Sequence, residues 1–253
     1  MAATADDTEA QTDGPEAARP PRRRRTGRIA TAVSFFGELL ITAGLVLGLF
    51  VVYSLWWTNV VADRTAHKQA DKVRDDWAHG SSNGGGPGAL DTKDGIGFLH
   101  VPAMRNGEVL VEKGTSTDVL NDGVAGYYTD PVKATLPTSG KTGNFALAAH
   151  RDGHGAKFHN VDKVKVGDPI VFETKDKWYV YKVYDILSET SKYNVKVLTS
   201  VPKESGVKKP GHYITLTTCT PVYTSRYRYV VWGELVRVDK VDSKRTPPKE
   251  LRG

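Results

Sequence analysis

The chain has 253 residues, 39% of them hydrophobic, which is enough for one well-buried domain with extensions. Its 35 Lys and Arg residues exceed its 29 Asp and Glu residues, but no basic motif interleaved with aromatic residues marks a nucleic-acid site. The net charge of +6 therefore indicates, at most, an anionic surface or substrate. The single cysteine excludes an internal disulfide, so packing alone has to hold the domain together.

The first 28 residues predict a disordered cytoplasmic tail. Residues 1–18 are rich in Ala, Thr, Asp and Glu and show no apolar period. An arginine cluster follows and directly precedes a long apolar run, and such clusters stay on the cytoplasmic side of a membrane. A targeting or nucleic-acid-binding arm is the alternative for this cluster. The arginines are Arg19, Arg22, Arg23, Arg24, Arg25 and Arg28.

Residues 29–61 predict a transmembrane signal anchor. The uncharged stretch from Leu39 to Trp57 makes a helix of roughly 28 Å, about the thickness of one hydrocarbon core. Trp56 and Trp57 stand at its far end, where indole rings favour the membrane boundary. The N-terminus is expected inside the cell and the rest of the chain outside. A cleaved signal peptide is the alternative, but the run is too long and no small-residue cleavage pattern follows it.

A stalk and a Gly-rich linker are predicted over 62–90. Residues 62–78 are charged and lack a continuous apolar stripe, and residues 80–88 are almost entirely Gly and Ser. The folded domain is therefore expected over 91–240, with a flexible tail over 241–253. Short β-like runs dominate that domain, which indicates a small closed barrel or a sandwich. These runs are 96–101, 108–111, 144–150, 169–173, 178–187, 213–219 and 227–238.

Cys219 ends the β-like run 213–219 and is a candidate nucleophile. Alternation in that run puts Ile214 and Leu216 on the apolar face, whereas Cys219 points the other way together with Thr215 and Thr217. An inert buried cysteine is the usual alternative. A thiol at the end of a strand and beside a loop, in a domain outside the cell, favours chemistry, for which it needs a nearby base or cation.

His150 is the candidate base, because it also ends an apolar run with small neighbours. His154, four residues on, lies in a Gly-rich loop where a solvated histidine is expected. A zinc site at these two histidines lacks a third ligand of evident spacing, so no metal is expected. Arg226 and Arg228 are candidate oxyanion donors, and their equal parity in the next strand leaves the choice between them open.

The motif Thr-Leu-Thr-Thr-Cys at residues 215–219, with an upstream histidine and a downstream arginine, resembles the sortase family. The likeness covers about residues 95–238, and residues 219–235 are most similar to class E sortases of high-GC Gram-positive bacteria. In that class the arginine stands nine residues after the cysteine, which selects Arg228. The residue before His150 is Ala, where many relatives have Gly.

The resemblance implies an all-β fold, an eight-stranded closed sortase barrel with short helices, behind one N-terminal transmembrane helix. It implies that Cys219 attacks a Thr–Gly bond in a C-terminal sorting signal of LAxTG or LPxTG type. His150 would act as acid and base, Arg228 would steady the oxyanion, and Thr215, Thr217 and Thr218 would line the peptide groove.

The implied partners are secreted proteins with such signals and a lipid-linked peptidoglycan precursor whose amine resolves the thioacyl-enzyme. No cofactor and no nucleic acid enter this reaction. The implied location is the cell membrane, with a single pass, a cytoplasmic N-terminus and an extracellular catalytic domain. A pilin-polymerising sortase and a non-catalytic surface peptide-binding module are the alternatives.

Overall fold

The computed structural model describes residues 27–79 and 96–252. Nearly all of the predicted cytoplasmic tail and all of the Gly-rich linker lie outside the described residues, so the predictions for them stay predictions. The described chain consists of one long N-terminal helix, a β-barrel and several single-turn helices.

Eight strands close into one barrel, which confirms the fold class expected from the sequence. Around the barrel the order is β1-β2-β3-β4-β7-β8-β6-β5, and β5 pairs with β1 to complete the circle. Closure leaves no free sheet edge in this barrel. The strands are β1 (Gly97–His100), β2 (Glu108–Lys113), β3 (Ala125–Tyr127), β4 (Gly143–Ala148), β5 (Pro169–Glu173), β6 (Lys177–Ser191), β7 (His212–Thr220) and β8 (Tyr227–Lys240).

The strand β3 is the one that the sequence did not reveal. It has three residues, all of them buried, so no alternation of polar and apolar positions marks it. Gly126 in its centre lies so close to the preceding loop that a Cβ atom there would collide with the carbonyl oxygen of Gly114. The close backbone approach, rather than a side-chain pattern, defines this strand.

The pairing of β4 with β7 is parallel, with Gly143 opposite His212 and Ala148 opposite Thr217. Two parallel strands end at the same edge of a sheet. The C-terminal ends of β4 and β7 therefore open at one end of the barrel, although the two strands are far apart in the sequence. The core between the barrel walls is apolar, with Phe145 and Phe172 in ring contact at 4.8 Å between centroids.

The N-terminal helix α1 (Arg28–His79) is long and apolar enough to cross a membrane. Its apolar side chains between Ile29 and Tyr53 are exposed, as a lipid-facing surface requires. The helix continues without a break through the predicted stalk. There Ala66, Ala70 and Val73 are buried in a cluster with barrel residues, so the stalk does carry a core-facing stripe, built from residues too small to stand out in the sequence.

Glu173, at the end of β5, joins three parts of the chain although it is only 1% exposed. Its carboxylate accepts hydrogen bonds from Arg74 of α1 at 2.8 Å, from His100 of β1 at 3.0 Å and from Arg245 of the C-terminal segment at 2.6 Å. That segment was predicted to be a flexible tail, but Leu251 also packs against the barrel. The tail differs from the prediction because its anchoring contacts are with residues distant in sequence.

Burial alone raises the pKa of Glu173, but the hydrogen bonds from Arg74, His100 and Arg245 outweigh burial and lower the pKa to about 2 from 4.5. The replacement Glu173→Gln should therefore reduce the free energy of unfolding at pH 7 by on the order of 3 kcal/mol. Because the folded-state pKa lies below the unfolded value, this difference is present above pH 4.5 and disappears as the pH falls towards 2. Denaturant unfolding in detergent, followed by tryptophan fluorescence between pH 7 and pH 3, measures it.

Glu108→Gln is the matched control, because Glu108 binds the same Arg74 at 2.6 Å but has a side chain that is 44% exposed. Exposed ion pairs contribute about 0–1 kcal/mol, so this variant should lose much less stability at every pH. Equal losses of unfolding free energy in the two variants would contradict the prediction that the buried Glu173 carboxylate stabilises the fold more than the exposed Glu108 carboxylate does.

Candidate active site

Cys219 is the penultimate residue of β7, and its side chain is partly exposed. β7 lies between β4 on one side and β8 on the other, so both neighbours can bring side chains to the thiol. Pro221, which cannot donate a ladder hydrogen bond, follows directly after the strand. The thiol thus stands where regular pairing ends and a loop begins, as the sequence predicted.

Arg228 is the direct cross-strand neighbour of Cys219 in the antiparallel pair of β7 and β8. Opposed residues of such a pair point to the same face with their Cβ atoms about 5 Å apart. Arg226 precedes β8 and is exposed, with its guanidinium over the ring of Tyr227. The structure therefore distinguishes the two arginines, which strand parity did not, and it places only Arg228 beside the thiol.

His150 stands two residues beyond the end of β4, which is shorter than the predicted run 144–150. The pairing continues past the strand, since the Ala149 amide donates to the Thr217 carbonyl at 3.3 Å and the Thr218 hydroxyl donates to the Ala149 carbonyl at 2.7 Å. Extending the parallel register from Ala148 opposite Thr217 puts His150 level with Cys219.

The His150 ring is held from two sides. Its Nε2 lies 2.9 Å from Oδ1 of Asn121, the last residue of the short helix α2 (Thr117–Asn121). The ring of His154 packs against it, with 5.4 Å between centroids. Burial and the nearby His154 lower the pKa of His150, and Asp152 acts in the opposite direction. The imidazole is therefore mainly neutral at pH 7.

Two residues at this site have no signal in the sequence strong enough to find them. Arg151 is a buried cation whose Nη1 donates to the Thr220 hydroxyl at 2.9 Å and to the Cys219 carbonyl at 3.4 Å. It also pairs with Asp162 at 3.3 Å. Arg151 fixes the backbone at the end of β7, directly beneath the thiol.

Tyr128 is the second of these residues, and it follows β3. Its hydroxyl lies 2.9 Å from the hydroxyl of Thr217. Burial raises the pKa of Tyr128, and among its smaller influences Thr217 and Arg228 lower the pKa whereas Cys219 raises it. Thr217 lies two residues before Cys219 on the same face of β7, so its bond to the phenol brings Tyr128 to that face. The phenol therefore belongs to the same site.

The three threonines predicted to line the peptide groove are at most 3% exposed. The hydroxyl of Thr215 donates to Asn144 Oδ1 at 2.8 Å, and the hydroxyl of Thr217 donates to the Leu147 carbonyl at 3.0 Å. Together with the Thr218 bond already described, these contacts tie β7 to β4. They satisfy buried polar groups and fix the relative position of the two strands. Substrate binding by these threonines stays a prediction.

Within residues 27–79 and 96–252, the group with the spacing of metal ligands is formed by His100, Glu108 and Glu173. Two guanidinium groups, of Arg74 and Arg245, already bind the Glu173 carboxylate. Cations so close oppose the binding of a further cation, so this group is an ion-pair network.

The closed barrel with a partly exposed thiol at one end is an architecture that cysteine transpeptidases have. The sortase domain model matches residues 99–236, more than half of the chain. The chain belongs to the sortase family, as the motif around Cys219 predicted.

Curated relatives agree with this family. The chain is 76% identical to sortase SrtE2 of Streptomyces coelicolor over the full length of both chains. It is 46% identical to sortase SrtE1 of the same organism, over 87% of this chain and 62% of that one. The likeness to class E sortases is thereby confirmed.

Solved structures agree as well. The crystal structure of sortase E1 from Streptomyces coelicolor, with a tripeptide in its active site, has a TM-score of 0.58 and 46% identity, and the match covers 62% of this chain and 96% of that one. Sortase E from Streptomyces avermitilis has a TM-score of 0.54 and 32% identity, with 62% and 97% covered.

The surroundings of His150 generate a prediction about its protonation. His154→Gln should raise the pKa of His150, because it removes a neighbouring group that disfavours the imidazolium. Asp152→Asn should lower the pKa of His150 further, because it removes the group that favours the imidazolium. Both shifts are measured as the midpoint of the His150 ring resonance in NMR titrations of protein labelled at histidine.

His159→Gln is the control for these titrations, because its Nδ1 bonds to the Arg151 carbonyl and not to the His150 ring. In the His159→Gln variant, the His150 ring should titrate with the same midpoint as in the wild type. A His154→Gln midpoint that stays in place or moves to lower pH would contradict the prediction.

Proposed function

We propose that this sortase is a membrane-anchored transpeptidase that cleaves the Thr–Gly bond of a C-terminal sorting signal and joins the new C-terminus to an amine of a cell-wall precursor. The observation that carries the proposal is the alignment at one barrel end. Cys219 stands opposite Arg228 across β7 and β8, and level with His150 across β4 and β7. Nucleophile, proton donor and oxyanion donor come from three adjacent segments.

In the first half-reaction, the Cys219 thiolate, whose proton is held by His150, attacks the threonine carbonyl carbon, and the carbonyl oxygen takes up negative charge beside Arg228. The C–N bond then breaks, the His150 imidazolium gives its proton to the leaving glycine amine, and a thioester to Cys219 remains. In the second half-reaction an acceptor amine attacks the thioester and gives its proton to the neutral His150. The C–S bond breaks, which completes the amide and regenerates the Cys219 thiolate beside the protonated His150.

The Asn121 contact assigns the ring nitrogens of His150. The amide oxygen of Asn121 accepts a hydrogen bond from Nε2, so Nε2 carries hydrogen and Nδ1 is left to give and receive the transferred proton. Because the pKa of His150 is lowered, the imidazolium that donates to the leaving amine is a minor species at pH 7. This supports slow turnover as a property of the site.

The relatives support a substrate class. A tripeptide occupies the active site of the sortase E1 relative, which supports a peptide substrate here. The likeness to class E sortases favours the L-A-x-T-G signal over L-P-x-T-G. The acceptor is inferred to be the amine of a lipid-linked peptidoglycan precursor, which is presented at the same membrane.

The proposed orientation puts the N-terminus in the cytoplasm and the barrel outside. The arginine cluster that ends at Arg28 precedes the apolar part of α1 and favours the inner side. Trp56 and Trp57 lie at the other end of the apolar part and are exposed. Tryptophans at that position support a membrane boundary just before the segment that packs on the barrel.

An adduct assay tests the proposed reaction. The wild type should form a thioacyl adduct with an L-A-x-T-G peptide at least about tenfold faster than with an L-P-x-T-G peptide, a difference of about 1.4 kcal/mol in transition-state binding. Cys219→Ala should form no adduct while it retains affinity for the peptide. Intact-protein mass spectrometry follows the adduct, and equal rates for the two peptides would contradict the substrate class.

The same reaction with different amines tests the acceptor. A peptide that mimics the amine of the wall precursor should be incorporated into the product, whereas a lysine-containing pilin peptide should not. Preferred incorporation of the pilin lysine would identify a pilin polymerase. The absence of any wild-type adduct would leave a peptide-binding module without catalysis.

The two neighbouring arginines provide a matched pair for the oxyanion role. Arg228→Ala should lower kcat by about 10²–10³-fold, the range found on removal of one oxyanion donor. Arg226→Ala should leave kcat within about twofold, because Arg226 is exposed outside β8. Steady-state kinetics with one peptide and one amine gives both values, and similar losses in the two variants would remove Arg228 from this role.

A further inference from the structure

The loop that follows His150 has an unusual backbone. Four consecutive residues have positive φ angles, Gly153 at 62°, His154 at 45°, Gly155 at 78° and Ala156 at 39°. Glycine adopts such angles freely, but His154 and Ala156 do not. A backbone of this kind persists only where the surrounding structure holds it. The loop also carries the ring that packs against His150, so whatever holds it acts on the site.

The helix α1 supplies that support from outside the barrel. The amide of Gly155 donates to Oδ1 of Asn59 at 2.8 Å, and Nζ of Lys157 donates to Oδ1 of Asp63 at 2.7 Å. The Lys157 side chain is only 14% exposed and that of Asp63 is 45% exposed, so the pair is shielded from solvent on the lysine side alone. A Cβ atom on Gly155 would lie 3.1 Å from Asp63 Oδ1, which shows how closely helix and loop approach.

The same turn of α1 also contacts the segment that holds the other side of the His150 ring. Gly123 follows Asn121, the hydrogen-bond partner of His150, by two residues. A Cβ atom on Gly123 would lie 2.9 Å from the carbonyl oxygen of Ala62, and Ala62 is 2% exposed. One turn of helix, from Asn59 to Asp63, therefore touches both segments that confine the imidazole.

We propose that Asn59, Ala62 and Asp63 form a brace that positions His150 for proton transfer. The inference rests on the proposed role of His150 as acid and base. The brace residues act through the loop 153–157 and through Asn121, so they are positioning residues that touch no substrate. They come shortly after Trp57, where the predicted membrane-crossing stretch ends. The turn of α1 that follows this stretch therefore contacts both segments around the proposed general acid.

Reversal of the ion pair tests the brace in the full-length protein in detergent micelles. Asp63→Lys and Lys157→Asp should each lower kcat by about tenfold with little change in KM, because a small displacement of a catalytic group costs turnover before it costs binding. Both should speed hydrogen–deuterium exchange of residues 153–158. The double variant, which restores an opposite-charge pair, should recover kcat and slow exchange to within about threefold of the wild type.

Arg74→Gln is the matched control. Arg74 lies on the same helix and also forms an ion pair with the barrel, but through Glu173, away from both segments that confine His150. This variant should keep kcat within about twofold and leave exchange of 153–158 unchanged. An equal loss of kcat in Arg74→Gln would show that docking of α1 in general matters, and it would overturn the brace.

His150→Ala separates failure of the brace from failure of the proposed function. If His150→Ala abolishes turnover while Asp63→Lys and Lys157→Asp keep wild-type kcat, His150 is catalytic and the brace is wrong. If His150→Ala keeps turnover, the proposed role of His150 is wrong, and the role of the brace in proton transfer is wrong with it. Unchanged exchange of 153–158 in both single variants would overturn the brace even where His150→Ala abolishes turnover.

Discussion

The parallel pairing of β4 with β7 is the constraint on which the site depends. Parallel ladders bring two strand ends to one edge of a sheet, and this one does so for residues that lie 69 positions apart in the chain, such as Ala149 and Thr218. A slip of one residue between β4 and β7 would take His150 out of line with the thiol of Cys219, because side chains alternate between the faces of a strand. Buried hydroxyl contacts of Thr215 and Thr217 with β4 oppose such a slip. These threonines thus secure the geometry that a reactive cysteine requires.

Burial shifts the pKa of an acid and that of a base in opposite directions, and Glu173 and His150 differ in how their surroundings respond. Around His150, burial and the neighbouring His154 outweigh the opposing effect of Asp152, and the pKa of the imidazole falls. Around Glu173, at the position where α1 and the C-terminal segment meet the barrel, three hydrogen bonds more than compensate for burial, and its pKa falls as well. The lowered pKa makes the His150 imidazole a weak base that gives up its proton readily. The lowered pKa of Glu173 keeps its carboxylate charged, which suits a residue that binds three parts of the chain together.

Local features of the site could be predicted from the sequence, and non-local features could not. Strand alternation and a motif of adjacent residues predict Cys219 as the nucleophile. The spacing between cysteine and arginine in the same motif favours Arg228 over Arg226. Tyr128 was missed because β3 has only three residues and no period. Asn121 lies in the short helix α2, and its contact with His150 joins residues 29 positions apart in the chain. Long-range contacts of this kind leave no periodic trace in the sequence.

The same distinction explains why the sequence predicts a stalk for residues 62–78, which belong to α1. Ala62, Ala66 and Ala70 are too small to produce an apolar stripe that a charged sequence would reveal, yet small side chains are what allow a helix to lie against backbone. The close approach also brings polar side chains at the edges of this helix face within bonding distance of the barrel domain, as in the ion pair of Asp63 with Lys157. A larger residue at position 62 would push the helix from Gly123 and weaken those contacts together. The alanines therefore matter for the distance at which the helix holds the loop beside His150, more than for the apolar area they bury.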